Sequence, residues 1–260
     1  MPLEEITVSV DKEPLATEDY RGRFYSQYHR ALNLVPAPPS ESQRERSVRQ
    51  FGGRWDKWLP RDKSARCLDI GCGTGDFLYF LKQRGFRNLT GVDLSAEELN
   101  VARMLGAEDV RQESALDYLR SVPPGSLDLV SAFNFFEHLT KIEILDLLPN
   151  IYAALAPGGR LIAITPNGLS PFAGATRYWD FSHETGFTPA SWRQLGRIAG
   201  FSTMTFEEYG PLPHSLFGVM RTAAWRTLTL GLLAVSYVEV GGPRDPSKVM
   251  TADMKIILER

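Results

Sequence analysis

Cysteine is scarce in this 260-residue chain. Only Cys67 and Cys72 occur, which excludes a disulfide framework and fits a reducing compartment. Charge of one sign is not in excess: 29 Lys and Arg against 31 Asp and Glu leave a formal −2, which argues against a general nucleic-acid binder. Long hydrophobic runs are missing too. The most apolar stretch, Leu228–Val238 (LTLGLLAVSYV), falls short of the roughly 20 residues of a spanning helix, so no stable membrane insertion is expected. A buried helix or strand is the expectation there, and a surface-lying amphipathic helix behind Arg221 and Arg226 is the alternative. The first residues are acidic and lack an apolar h-region, so no signal peptide is expected, and the location expected is cytoplasmic. With 43% apolar and 23% charged residues, the chain reads as an ordinary soluble protein: one large domain, or a domain with an accessory piece.

From Arg66 to Thr165 short apolar runs alternate with helical patterns. The expected strands are Arg66–Ile70, Leu89–Leu94, Asp109–Arg111, Leu127–Phe133 and Arg160–Thr165, with Pro157-Gly158-Gly159 turning into the last of these. Helices are expected over Phe77–Gly85, Ser95–Leu105, Ala115–Arg120 and Ile142–Leu155. Such alternation implies an α/β fold, a parallel sheet with helices on both faces. Residues 1–60 read as an N-terminal helical extension or lid, with Tyr20, Phe24, Tyr25 and Tyr28 in it and Pro36–Pro39 as a break. After the fifth strand come a loop (166–189), a helix (Ser191–Ile198), a strand (Thr203–Tyr209), an insertion (211–250) and a closing strand (Asp253–Leu258). These additions are the expected home of substrate selection.

Asp69-Ile-Gly71-Cys-Gly73-Thr-Gly75 links the first strand to the first helix. Glycines there permit positive φ and close backbone approach to a ligand, and the helix start offers free N–H groups. The G-x-G-x-G spacing differs from the G-x-G-x-x-G of a dinucleotide site. Asp93 closes the second strand, where a carboxylate can accept hydrogen bonds from both hydroxyls of a ribose.

RCLDIGCGTGDFL, GVDLS, LVSAFNFFEHL and LAPGGRLIAITPN, four motifs in order over about 100 residues, together resemble the class I S-adenosylmethionine-dependent methyltransferases. The resemblance implies a Rossmann-like seven-stranded sheet, mostly parallel with an antiparallel last strand. It implies S-adenosyl-L-methionine as cofactor, with contacts at Asp69, Gly71, Cys72, Gly73, Gly75, Asp93, Leu94, Ser114, Ala115 and Phe133. Ala115 would lie near the adenine and Phe133 near the methionine moiety. Ser114 stands where the family pattern has an aspartate; its hydroxyl can bond the adenine amino group, or Glu113 can substitute. Cys67 and Cys72 read as packing residues.

A hydroxyl acceptor needs a base, which draws attention to histidine. His138 follows Glu137 just past the fourth strand, near a helix start whose dipole favours a neutral ring; packing beneath the site is its other reading. His183 lies in RYWDFSHETGFTP, which resembles the D-x-[ST]-H…F-T-P stretch of bacterial methyltransferases linked to cell-surface polysaccharides. There Tyr178, Trp179 and Phe187 can stack on a sugar face while Asp180 and His183 bond hydroxyls, or the polar pair only fixes the loop. Asp180, His183 and Glu184 carry ligating atoms without an evident further partner, and no metal site is expected. His29 and His214 read as surface or packing residues.

The expected function is therefore methyl transfer to a hydroxyl of a small molecule, a sugar or glycan precursor first, with catalytic His138, His183 and Asp180. An aromatic, quinone or natural-product O- or N-methyltransferase is the alternative within the class. An NAD-dependent oxidoreductase and an inactive cofactor-binding subunit are the alternatives outside it. The absence of an Asn/Asp-Pro-Pro-aromatic motif after the fourth strand argues further against nucleic acid.

Overall fold

Seven strands form one sheet in the order β3-β2-β1-β4-β5-β7-β6. They are β1 (Arg66–Ile70), β2 (Asn88–Asp93), β3 (Val110–Gln112), β4 (Leu127–Phe133), β5 (Leu155–Pro166), β6 (Thr203–Glu208) and β7 (Asp253–Glu259). β1 to β5 run parallel, and β7 lies antiparallel between β5 and β6. The computed structural model describes residues 38–260; of the extension expected over residues 1–60, the part from 1 to 37, with Tyr20, Phe24, Tyr25, Tyr28 and His29, lies outside the described residues. The chain steps from β1 outward to β3, then crosses back to β4 on the other side of β1. That reversal opens a crevice at the carboxyl ends of β1 and β4, where ligands bind in open α/β sheets.

Local chemistry starts the helices where polar caps stand. Helix α1 (Glu41–Trp55) opens on a Ser40–Gln43 capping box, and α2 (Asp76–Gln83) follows the glycine turn directly. Ser95 caps α3 (Ala96–Met104), Ser114 caps α4 (Ala115–Ser121) and Thr140 caps α5 (Lys141–Ala154), each accepting a backbone N–H from the first turn. The loop after β5 holds a short helix, α6 (Ala173–Tyr178), and α7 (Pro189–Ala199) follows. Helix α1 packs its aromatic face on the sheet: Trp55 stacks on Phe133 at 5.0 Å and Phe51 meets Phe77 edge-on at 5.3 Å.

Two expectations change here. Pro157-Gly158-Gly159 lies inside β5, where the register against β4 shifts, so the turn becomes an irregularity within one long strand. The stretch 228–238 is helical, within the 25-residue α8 (Leu216–Val240), yet Ser236 is the one residue of that helix that is buried. Val238 is 90% exposed. The chain leaves the sheet after β6 and returns only at β7, and among the described residues no second layer covers the helix. It docks through polar contacts, Trp225 to Glu208 at 3.2 Å and Thr222 to the Pro211 carbonyl at 3.4 Å. Among the described residues no helix is long and apolar enough to cross a membrane.

Candidate functional site

The glycine turn wraps the carboxyl end of β2. Gly71 and Cys72 both donate to the Val92 carbonyl, at 2.9 and 3.1 Å. The Asp93 carboxylate holds the same turn from the side, accepting from Gly73 N at 2.9 Å and from Ser95 N at 2.8 Å. Two bonds leave further lone pairs on that carboxylate, enough for two hydroxyl donors. At Gly71, φ is +66°, and a Cβ would stand 2.5 Å from the Phe135 ring. Glycine is required there by an aromatic of the protein itself, which ties the turn to the segment after β4.

Asp69 is buried and accepts a 2.6 Å hydrogen bond from Ser131 Oγ on β4. Burial pushes its carboxyl up to about 7; the Ser131 bond opposes this, and the nearby Asp93 and Asp76 carboxylates add to it. Acidic groups thus line the crevice where a cationic ligand gains most. Cys72 is buried, and burial pushes its thiol up; Cys67 is likewise raised, to about 12, so both cysteines are inert packing groups. Leu94 stands 71% exposed at the lip of the crevice. Ser114 Oγ donates to Asp117 Oδ2 at 2.7 Å and accepts from Asp117 N at 3.1 Å, so it works first as the cap of α4, which begins at Ala115. The Phe133 ring packs against Trp55 and Phe77 at 5.0 and 4.6 Å.

On the acceptor side the fold joins two segments far apart in sequence. After β4 the chain makes a left-handed step at Asn134 (φ 50°) and a single 3-10 turn over Phe136–His138. The Glu137 carbonyl accepts from Glu184 N at 2.7 Å and Thr185 N at 3.1 Å, and Thr185 Oγ1 donates to the Leu139 carbonyl at 2.8 Å. Arg177 donates to the carbonyls of His183 and Glu184. These bonds bring the His138 and His183 rings to 4.9 Å between centroids.

Hydrogen-bond partners fix both tautomers. Ser182 Oγ gives its hydrogen to Asp180 Oδ1 at 2.7 Å, so the 2.8 Å contact with His138 Nδ1 runs from the ring N–H to the hydroxyl. His183 Nδ1 lies 3.2 Å from the Arg177 carbonyl, which can only accept. In the neutral rings both lone pairs therefore sit on Nε2. Burial lowers the His183 pKa, opposed by Asp180, which favours that neutral form.

Asp180 is buried and bonds Ser182 through N and Oγ, so it acts on His138 from behind. Tyr178 and Trp179 are exposed and available to a ligand. Phe187, expected on the acceptor, is buried instead and stacks on Trp192 at 5.0 Å. The reason is local: Thr188 caps α7, so Phe187 and Trp192 occupy the two positions of a hydrophobic staple. FTPASW carried that signal in the sequence.

Glu137, part of the E-H-L element at Glu137–Leu139, has no role of its own among the expected site residues. It is 1% exposed, and its Oε2 has no hydrogen-bond partner among the described residues. Burial pushes its carboxyl up to about 8; a hydrogen bond from its own backbone N–H opposes this, and the Asp253 and Asp180 carboxylates add to the rise. Glu137, His138 and His183 each offer one ligand atom, all within 4.8 Å of one another. Glu184, the acid expected beside His183, is not among them.

Residues 41–205 match a family model described as a methyltransferase domain. A ubiquinone biosynthesis O-methyltransferase of Aeromonas salmonicida is 30% identical over 164 residues, 56% of this chain and 68% of that protein. One from Idiomarina loihiensis is 33% identical over 106 residues, 39% of this chain. There the match spans 42% of the relative, less than half its length. Among solved structures, a SAM-dependent methyltransferase from Archaeoglobus fulgidus superposes with a TM-score of 0.62 at 21% identity, covering 91% of this chain and 100% of that one. Haemonchus contortus phosphoethanolamine N-methyltransferase 2, in complex with S-adenosyl-L-methionine, gives 0.53 at 19%, covering 86% and 53%.

Proposed function

Given that the chain belongs to the S-adenosylmethionine-dependent methyltransferases, we propose that it methylates a hydroxyl of a small aromatic, quinol-type molecule. The membership displaces the nicotinamide alternative. The aromatic acceptor, rather than the sugar or glycan precursor expected first, is favoured by the relatives, which are named for ubiquinone biosynthesis. The observation that carries the proposal is the meeting of His138 and His183 beside the crevice that Asp69 and Asp93 line.

When bound, the cofactor supplies a methyl group already activated on a sulfonium. Asp93 is suited to hold its ribose, the turn from Gly71 to Gly75 to give its backbone close approach, and buried Asp69 to face its cationic end. The acceptor must be held near the methyl carbon, and its hydroxyl must lose a proton. His138 and His183 direct nitrogen lone pairs at that hydroxyl, Asp180 holds His138 through Ser182, and Tyr178 and Trp179 offer aromatic faces to the ring.

The test is product formation from labelled S-adenosylmethionine with a catechol, a quinol and a sugar. Methylation of the aromatic acceptors is expected, with turnover at least roughly 100-fold lower in His138→Ala and cofactor affinity unchanged. A sugar methylated in preference, or full activity in both His138→Ala and His183→Ala, overturns the reading.

A further inference from the structure

We infer that Glu137, His138 and His183 form a binding site for one borderline divalent cation, such as Zn2+, on the acceptor side of the crevice. Two imidazoles and one carboxylate are a ligand set for Zn2+ or Fe2+ rather than for the all-oxygen shells of Mg2+ and Ca2+. Three protein ligands leave a coordination position open.

Several independent features favour a cation over a plain hydrogen-bonded cluster. Glu137 Oε2 is fully buried with no hydrogen-bond partner among the described residues, although buried acceptors are nearly always satisfied, and a carboxylate oxygen of Glu137 lies within reach of a nitrogen of each ring. Both rings carry their hydrogen on Nδ1, held by Ser182 and by the Arg177 carbonyl, which presents Nε2 as the ligating atom. Metal-binding histidines are oriented in this way, by a hydrogen bond from the second ring nitrogen. The groups facing the cluster are mainly acidic, with Asp180 and Asp253 near Glu137 and Arg177 as the opposing cation. A cation bound at about 2.0–2.2 Å sets its ligand atoms roughly 3–3.5 Å apart, so the 4.8 Å spread must close by about 1–2 Å.

The cation's role, though not its binding, rests on the methyl-transfer reading. An acceptor oxygen taking the open position would have its proton made far more acidic, and that proton would leave to water. With the cation bound, the Nε2 lone pairs are engaged by it, so the imidazoles place the cation instead of taking the proton themselves.

Zn2+ titration of the chelator-treated full chain, followed by calorimetry, tests the site, with Mg2+ as the contrasting ion. One Zn2+ per chain is expected and Mg2+ binding is not. Affinity for Zn2+ should drop at least about tenfold in Glu137→Gln and in His138→Gln, and by roughly 10- to 100-fold in Ser182→Ala. Co2+ absorption by the unmodified protein gives a second readout that needs no variant: visible bands of a four- or five-coordinate ion are expected. No Zn2+ binding, affinity unchanged in both ligand variants, or a Co2+ spectrum like that of the hydrated ion overturns the site. S-adenosylmethionine affinity measured alongside separates the two readings, since its loss would count against methyl transfer and leave the cation result standing.

Discussion

Replacing Asp93 with alanine should weaken the cofactor far more than it weakens the fold. Its carboxylate already holds Gly73 N at 2.9 Å and Ser95 N at 2.8 Å, which sets its orientation at the end of β2. In the proposed cofactor site the remaining lone pairs would accept from two ribose hydroxyls. A hydrogen bond to a charged group contributes about 1.5–3 kcal/mol, so two amount to roughly 3–6 kcal/mol. At 1.4 kcal/mol per decade, the dissociation constant should rise about 10²- to 10⁴-fold. Asp93→Asn keeps one acceptor oxygen and should fall between. Calorimetry with S-adenosylmethionine reads the affinity, and a thermal melt reads the cost of freeing the two backbone N–H groups. A folded Asp93→Ala protein whose affinity stays within about threefold of the parent would refute the assignment.

Two further outcomes follow from the same crevice. Gly71→Ala forces a side chain into left-handed backbone and against Phe135, at a cost of about 1–2 kcal/mol for the first and 1–3 for the second, so urea denaturation should show a loss of roughly 2–5 kcal/mol; an unchanged midpoint refutes the clash. Asp69, raised to about 7 by burial, binds its proton more tightly folded than unfolded. Its contribution to stability is therefore full below pH 4 and is lost as pH rises to about 7. A cationic ligand beside it lowers that value, so cofactor binding should release close to one proton at pH 6 and almost none at pH 8.5, seen as a buffer-dependent calorimetric enthalpy; equal release at both pH values, or none at pH 6, refutes this.

The sequence by itself determined the sheet and the closeness of Asp93 to the glycine turn. β1 and β4 begin and end at the expected residues, since short apolar runs bounded by turn residues leave little freedom. Ser95 caps its helix as expected, because a cap depends on residues three apart. Asp93 beside the glycine turn was legible for the same reason: strand, turn and helix follow one another in the chain.

Contacts across the chain were decided by the tertiary structure. Glu137 and His183 are 46 residues apart, and only the hydrogen bonds between the segments after β4 and β5 bring them together. Asp180, expected at the acceptor, became the group behind Ser182, and Phe187 turned inward onto Trp192. The apolar stretch in α8 stayed exposed, because composition records how apolar a segment is but not whether another layer lies over it. Local pattern fixes an element's type and ends; burial and convergence depend on which surfaces the rest of the chain supplies.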